Sequence, residues 1–446
     1  VFAAAAEQYA VDGKGIAIAI VDSGIADHPD LTTANGASRV VYRQSFIPGT
    51  GDVYGHGTHV AGIAAGNGVS STGAGNKFAI KGIAPGAKLI DLRVLDGNGT
   101  GTESSVIEAI QRAIELKSAY NIRVLNLSLG RPVFETYLLD PLCQAVEQAW
   151  KAGIVVVVAA GNHGRNNQFG TQGYGMIASP GNDPYVITVG AMKTKGTESR
   201  GDDNIASYSS KGPTAIDHFV KPDLVAPGNR IVAAMAPNNT LRNTYAGTAV
   251  PLTYYKTSGT GYSTAYFKLS GTSMATPVVS GATALLLEKE PALTPDQVKA
   301  RLMQTAWKAF PSYSLAVSAA GVTFNSQYDI FTVGAGYLDI AMALASTDVA
   351  PANRQALSPR AVYNPATRTV SMLMSGSTVV WGTTMVWGTT MVWGTNVLIN
   401  NSELWGNTMV WGTSGTQGFT MVWGTTIVWG VGEGLAGLSE GEDGEL

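Results

Sequence analysis

Residues 15–24, GIAIAIVDSG, carry an unbroken apolar run from Ile16 to Val21 that ends on the carboxylate of Asp22. A strand with one wet face alternates apolar and polar residues. A continuous apolar run is what a strand needs when both faces are covered, as in the middle of a parallel sheet. Four further runs have the same texture: AKLIDLRVL (87–95), RVLNLSLG (123–130), GIVVVVAAGN (153–162) and YVITVGAM (185–192). Between them ESSVIEAIQRAIELKSAY (103–120) and LCQAVEQAWKAG (142–153) place apolar residues at helical spacing, the second stopping at Gly153. The alternation of strands and helices predicts an α/β fold, a doubly wound, mostly parallel sheet with helices on both faces. In LTPDQVKARLMQTA (293–306), Thr294 is placed to cap a helix, with Pro295 at its first position and Gln297 completing a capping box.

The chain has 446 residues, enough for one large α/β domain plus an appendage. Its 29 basic and 32 acidic residues leave a net charge of −3, which gives no footprint for nucleic acid or an acidic membrane surface. No stretch approaches the apolar length that spans a bilayer. A single cysteine, Cys143, forbids an intrachain disulfide and reads as a buried helix-face residue. The chain starts at Val1 without Met or an apolar leader, which suggests a mature or trimmed form.

The texture changes after residue 345. A catalytic-sized unit, 1–345, is followed by a polar, Pro-containing linker or wrapping segment (346–370), a Trp/Gly/Thr repeat (371–430) and an acidic, Gly-rich tail (431–446). Tryptophans at 381, 387, 393, 405, 411, 423 and 429 are separated by multiples of six. An even period holds them on one face of an extended strand, so this segment is expected to be β-rich. Three readings stay open for it: packing onto itself or the main domain, binding carbohydrate or an apolar surface through its indoles, and a C-terminal piece removed on maturation.

Three polar residues stand where such a sheet gathers function, at strand carboxyl ends and the helices that follow. Asp22 ends the first strand; His56 lies in DVYGHGTHVAGIAAG (52–66); Ser273 opens the small-residue helix of GTSMATP (271–277). A hydroxyl becomes a useful nucleophile when an imidazole takes its proton, and a carboxylate fixes the tautomer of that imidazole. Singly, each residue is equally a turn, helix-start or cap residue.

VDSGI (21–25), GHGTHVAG (55–62) and GTSMATP resemble the three signature motifs of the subtilisin-like serine proteases, the subtilases. NLSLG (126–130), VVAAGN (157–162), PYVITVGA (184–191), SSKGP (209–213) and KPDLVAPG (221–228) extend the resemblance over roughly residues 10–345. It implies a secreted serine endopeptidase acting on proteins or peptides through an acyl-enzyme. Ser273 would be the nucleophile, His56 the base, Asp22 its orienting partner and Asn162 an oxyanion donor. His59, three residues after His56, is not assigned the base role. Substrate would be bound as an added strand, with Ser128, Leu129 and Gly130 on one wall and Gly99, Thr100 and Gly101 on the opposite edge. Ala159, Ala160 and Gly161 would line the first pocket, and His163 beside them would favour acidic residues at lower pH.

GRNNQFGTQGYG (164–175) and the region 229–270 read as loop elaborations. The chemistry requires no cofactor. The resemblance admits structural calcium, but GNGVSSTGAGNKF (66–78) shows no liganding pattern, so no metal residues are assigned. It also implies an N-terminal prodomain as a partner that this chain does not include. The rival to an enzyme is a surface-associated adhesion protein on an inactive protease fold, with the repeat carrying the function.

Overall fold

The computed structural model describes residues 8–167, 171–317 and 321–364, and the short strands 369–373, 380–381, 385–386 and 426–428. The first nine strands are β1 (Ala17–Asp22), β2 (Val40–Ser45), β3 (Lys88–Arg93), β4 (Thr100–Thr102), β5 (Ile122–Leu127), β6 (Val155–Ala159), β7 (Ile187–Lys193), β8 (Asn204–Ile205) and β9 (Leu224–Pro227). All except β4 join one sheet in the order β2-β3-β1-β5-β6-β7-β8, with β9 also against β7. Every pairing in it is parallel apart from β7 with β8. All residues of β1 and of β6 are buried. Their unbroken apolar runs are therefore explained by protein on both faces, each buried Val or Ile contributing about 1.5–3 kcal/mol.

The helices are α1 (His56–Ala65), α2 (Glu103–Tyr120), α3 (Pro141–Lys151), α4 (Thr240–Thr244), α5 (Thr272–Lys289), α6 (Pro295–Thr305) and α7 (Ile340–Ala345). α1 packs on α5, which lies along β5, β6 and β7, while α2 packs on α3 and covers β1 and β5. α1 is buried throughout and α5 is buried from Thr272 to Leu287, so neither needs a polar face. Small residues make that close packing fit: a Cβ on Gly281 would fall 2.5 Å from the Cβ of Ile83, and one on Gly62 would fall 2.8 Å from Ala234. The capping box of α6 forms, with Gln297 N donating to Thr294 Oγ1 and Thr294 N to Gln297 Oε1. Cys143 is buried in α3, and burial pushes its thiol well above the ordinary range.

Much of 229–270 is not loop. It holds the antiparallel sheet β10 (Ile231–Ala234), β12 (Tyr262–Leu269) and β11 (Ala249–Pro251), in that spatial order. Tyr266 and Phe267 of β12 turn to opposite sides and are both buried, so this strand is covered on both faces as well. Hairpins β13–β14 (Tyr313–Val317, Thr323–Gln327) and β15–β16 (Arg360–Asn364, Thr369–Leu373) follow. In the repeat, β17 (Val380–Trp381) pairs with β18 (Met385–Val386), and β19 (Thr426–Val428) pairs with β4. The rest of the expected β-rich repeat, and the acidic tail, lie outside the described residues. Among the described residues no helix is long and apolar enough to cross a membrane.

Residues 346–359 run along the domain. Ala350 O accepts from Gln297 Nε2 at 2.7 Å, Ala356 N donates to Asp296 Oδ1 at 2.8 Å, and Ser358 Oγ donates to Asp223 Oδ1 at 2.6 Å. Asp223 also receives Lys221 Nζ at 2.7 Å and Lys299 Nζ at 3.2 Å, and all three charged side chains are fully buried. The two lysines hold the Asp223 carboxyl below the usual carboxylate range against the opposing pull of burial. Asp223→Ala leaves two buried cations without their anion, and its expected cost is about 3–5 kcal/mol, read as a fall in the urea midpoint. A midpoint within experimental error of wild type would show that the lysines are satisfied by carbonyls alone.

Candidate active site

The strand order reverses at β1, and the carboxyl end of β1 delivers Asp22 to the point where open α/β sheets bind ligands. His56 is the first residue of α1. Its Nδ1 lies 2.8 Å from Asp22 Oδ1 and 3.0 Å from Oδ2, and both side chains are buried. Asp22 Oδ1 also accepts from Ser23 N at 2.7 Å, so the carboxylate is held from behind while it faces the ring.

Sequence reasoning missed what holds His56 there. The residue before α1 is Gly55, in the left-handed region (φ 97°), and it gives the helix no side-chain cap. Asp52 supplies that function from outside the helix. Its carboxylate accepts from Gly55 N (2.7 Å), Thr58 N (2.8 Å), Thr58 Oγ1 (2.6 Å) and Ser23 Oγ (2.8 Å). Ser23 Oγ in turn accepts from Gly57 N at 2.9 Å. The helix start carrying His56 is thereby tied to the residue next to Asp22. Burial raises the Asp52 carboxyl above the usual range and the hydrogen bonds oppose that shift. Its one sequence signal was a carboxylate just ahead of a helix.

Ser273 sits in the first turn of α5 and is buried. Its carbonyl accepts from Ser128 Oγ at 2.9 Å, and Ser128 Oγ accepts from Asn126 Nδ2 at 2.9 Å. Asn162 follows the end of β6 by three residues, and its Oδ1 accepts from Thr272 N (2.9 Å) and Thr272 Oγ1 (3.1 Å). A Cβ placed on Gly271 would lie 3.4 Å from both Asn162 Nδ2 and Ser273 Oγ, so the amide nitrogen and the hydroxyl border the same glycine.

The other expected residues fall around this point. Ser128, Leu129 and Gly130 follow β5, and Arg131 pairs with Ser179 through both backbone groups (2.9 and 2.8 Å). Gly99 packs under Tyr54, whose ring centroid is 6.3 Å from that of His56; a Cβ at residue 99 would fall 2.5 Å from Tyr54 Cζ. Thr100 and Gly101 form the edge strand β4. Ala159 ends β6, Ala160 bonds to Val189 and Ala178 through its backbone (3.0 Å each), and Gly161, at φ 104°, faces Ser210. His163 is exposed on the surface, with its backbone N–H on Ser210 Oγ at 3.0 Å. Although the residue keeps solvent access, protein packed around its ring removes part of its hydration and lowers the imidazole below the usual pKa, so any charge there appears at more acid pH than for an ordinary histidine.

His59 is set apart from Asp22. Its Nε2 donates to Ile231 O at 3.0 Å, its ring meets Phe267 edge-on at 5.0 Å, and burial lowers its pKa to about 3, so it stays neutral. Among the described residues no three His, Cys, Asp or Glu side chains gather to hold a metal. Asp30, beside the loop considered for calcium, accepts from Ser70 N and Tyr266 Oη, so its two oxygens are already engaged. The structure adds no ligand set to the calcium expectation.

The α/β sheet thus pairs a carboxylate with an imidazole at its switch point, and α5, which packs on the helix carrying that imidazole, holds a serine in its first turn. The subtilase family model matches residues 13–348, and the chain belongs to that family. It is 40% identical over 299 residues to serine protease AprX of Bacillus subtilis (strain 168), covering 64% of this chain and 60% of that protein. It is 36% identical over 300 residues to subtilisin E of the same strain, covering 66% and 61%. The match thus spans about three fifths of the length of these relatives. Sphericase superposes with a TM-score of 0.52 at 26% identity, over 74% of this chain and 92% of that structure.

Proposed function

We propose that the chain is a serine endopeptidase that cleaves peptide bonds through an acyl-enzyme on Ser273. One observation carries this reading: the 2.8 Å contact of His56 Nδ1 with Asp22, supported by Ser273 Oγ and Asn162 Nδ2 both bordering Gly271. His56 Nδ1–H donates to Asp22, which leaves Nε2 as the base. Ser273 Oγ attacks the substrate carbonyl while its proton passes to Nε2. The oxyanion so formed is met by Asn162 Nδ2–H and by Ser273 N–H at the positive end of α5. The imidazolium then gives its proton to the leaving amine as the C–N bond breaks, and water cleaves the ester by the same steps. The substrate lies extended between the Ser128–Gly130 segment and the β4 edge, where main-chain bonds accept many sequences.

Asn162→Ala removes a donor that acts on charge present only in the transition state. The expected loss is about 10²–10³ in kcat with KM nearly unchanged, the range measured for the equivalent donor in a member of this family. Steady-state kinetics on a chromogenic peptide check it; a rise in KM at constant kcat would make Asn162 a ground-state binding residue.

Asp52→Asn keeps the shape and removes acceptor capacity from a four-donor cluster. Displacing His56 at the start of α1 by a fraction of an ångström is expected to lower kcat by about 10–10², with KM little changed. The parallel readout is the rate of Ser273 modification by a sulfonyl fluoride, which falls with kcat if the base is misplaced. A kcat equal to wild type would confine Asp52 to capping.

A further inference from the structure

β4 is the one strand of the first nine that lies outside the central sheet. Thr100 uses both backbone groups inward: its N–H donates to Asp96 Oδ1 at 3.0 Å and its carbonyl accepts from Asp96 N at 2.8 Å. Strand geometry then turns the N–H and C=O of Gly101 the other way, onto the outer edge. A Cβ at Gly101 would lie 2.3 Å from Val94 O, so only glycine lets this edge sit so close to the body of the domain. Such an edge is a template for any extended chain.

A strand already lies there. β19, Thr426–Val428, pairs antiparallel with β4 in the register Thr426↔Thr102, Ile427↔Gly101 and Val428↔Thr100. These residues belong to MVWGTTIVWG (421–430), one of the tryptophan repeat units. Opposite Gly101, Ile427 takes the position of a hydrogen-bonded pair, and Thr102 with Thr426 forms the adjacent non-hydrogen-bonded pair.

We propose that the tryptophan repeat is an internal ligand of this substrate edge, its strand Thr426–Val428 occupying β4 in competition with extended peptide substrates. The substrate half of this statement rests on the endopeptidase reading; the pairing itself does not. The repeat is chemically suited to the role. Val, Ile, Thr and Trp favour strands, and the even period presents the same face in successive units. A tether within one chain gives an effective concentration in the mM range, so a unit that binds with a dissociation constant ten times smaller raises the apparent KM about tenfold.

The test places cysteines across the non-hydrogen-bonded pair, Thr102→Cys with Thr426→Cys, in the full chain. Native Cys143 is buried and does not compete. Mild oxidation is expected to yield an intramolecular disulfide, located by mass spectrometry and independent of protein concentration. Peptide hydrolysis is expected to fall at least tenfold in the oxidised form and to return on reduction. No cross-link, a cross-link only between chains, or equal KM in the oxidised and reduced forms would overturn the proposal. A chain that hydrolyses nothing even when reduced fails the endopeptidase reading instead, and the cross-link still reports the pairing. As a second measurement on the unmodified protein, a synthetic peptide of residues 421–430, which must displace the tethered unit from its mM effective concentration, is expected to inhibit competitively in the low millimolar range. Absence of inhibition at several millimolar would count against the proposal.

Discussion

Ser273→Ala is expected to abolish peptide hydrolysis while leaving the fold intact. In subtilisin, a member of this family, loss of the nucleophile costs about 2 × 10⁶ in kcat, and a loss of the same order is expected for this chain. The argument for an intact fold is local. Ser273 is anchored through its carbonyl, which accepts from Ser128 Oγ at 2.9 Å and survives the substitution. Alanine also has the higher helix propensity. Purified variant and wild type are compared on a chromogenic peptide and by thermal melting. Near-wild-type turnover in the variant would remove Ser273 from the chemistry, and a collapsed melting curve would make it structural.

The second large effect is expected for Asp22→Asn. The carboxylate lies 2.8 and 3.0 Å from His56 Nδ1 and holds a proton on that nitrogen. An asparagine in the same place can turn its NH₂ toward Nδ1, which moves the ring proton to Nε2 and leaves no base facing the serine. In a serine protease of another fold the same exchange costs about 10⁴ in kcat with geometry preserved, and a loss of that order is expected here. Ser23 N, which donates to Asp22 Oδ1 at 2.7 Å, can donate to the asparagine carbonyl oxygen, so the loop has a partner in the variant. A loss of less than tenfold would show that His56 is positioned by the Asp52 cluster alone.

The central sheet is legible in the sequence because its strands are buried on both faces and their composition reflects it. The runs at 15–24 and 153–162 contain β1 and β6 within two or three residues at either end. β2 gives no such signal. Its residues alternate in burial and include Tyr42, Arg43 and Gln44, the mark of a sheet edge and not of a buried strand. The antiparallel sheet of 231–269 is hidden for a related reason: its outer strands β10 and β11 are short, β12 mixes exposed and buried residues, and the pairings join residues that no local pattern connects.

At the site, Asp22, His56, Ser273 and Asn162 stand out through residue type and motif, and the fold brings Asp22 to His56 and sets Asn162 and Ser273 beside the Cβ position of Gly271. The parts that position them are silent in the sequence. Asp52 binds Ser23 across 29 residues and Ser128 holds Ser273 across 145, distances over which only tertiary structure creates the contact. The pairing of β19 with β4 joins residues 426–428 to residues 100–102, and period alone cannot name the edge on which a repeat unit lands.

The most direct test is covalent. The folded chain is treated with a sulfonyl fluoride or an organofluorophosphate, digested, and the adduct located by mass spectrometry, with His56→Ala and urea-unfolded protein as controls. One adduct, on Ser273, lost in both controls, is the expected result, because only a serine activated by His56 attacks such reagents. A folded chain that forms no adduct, or forms it on another residue, would contradict the assignment of Ser273 as nucleophile and the endopeptidase reading built on it.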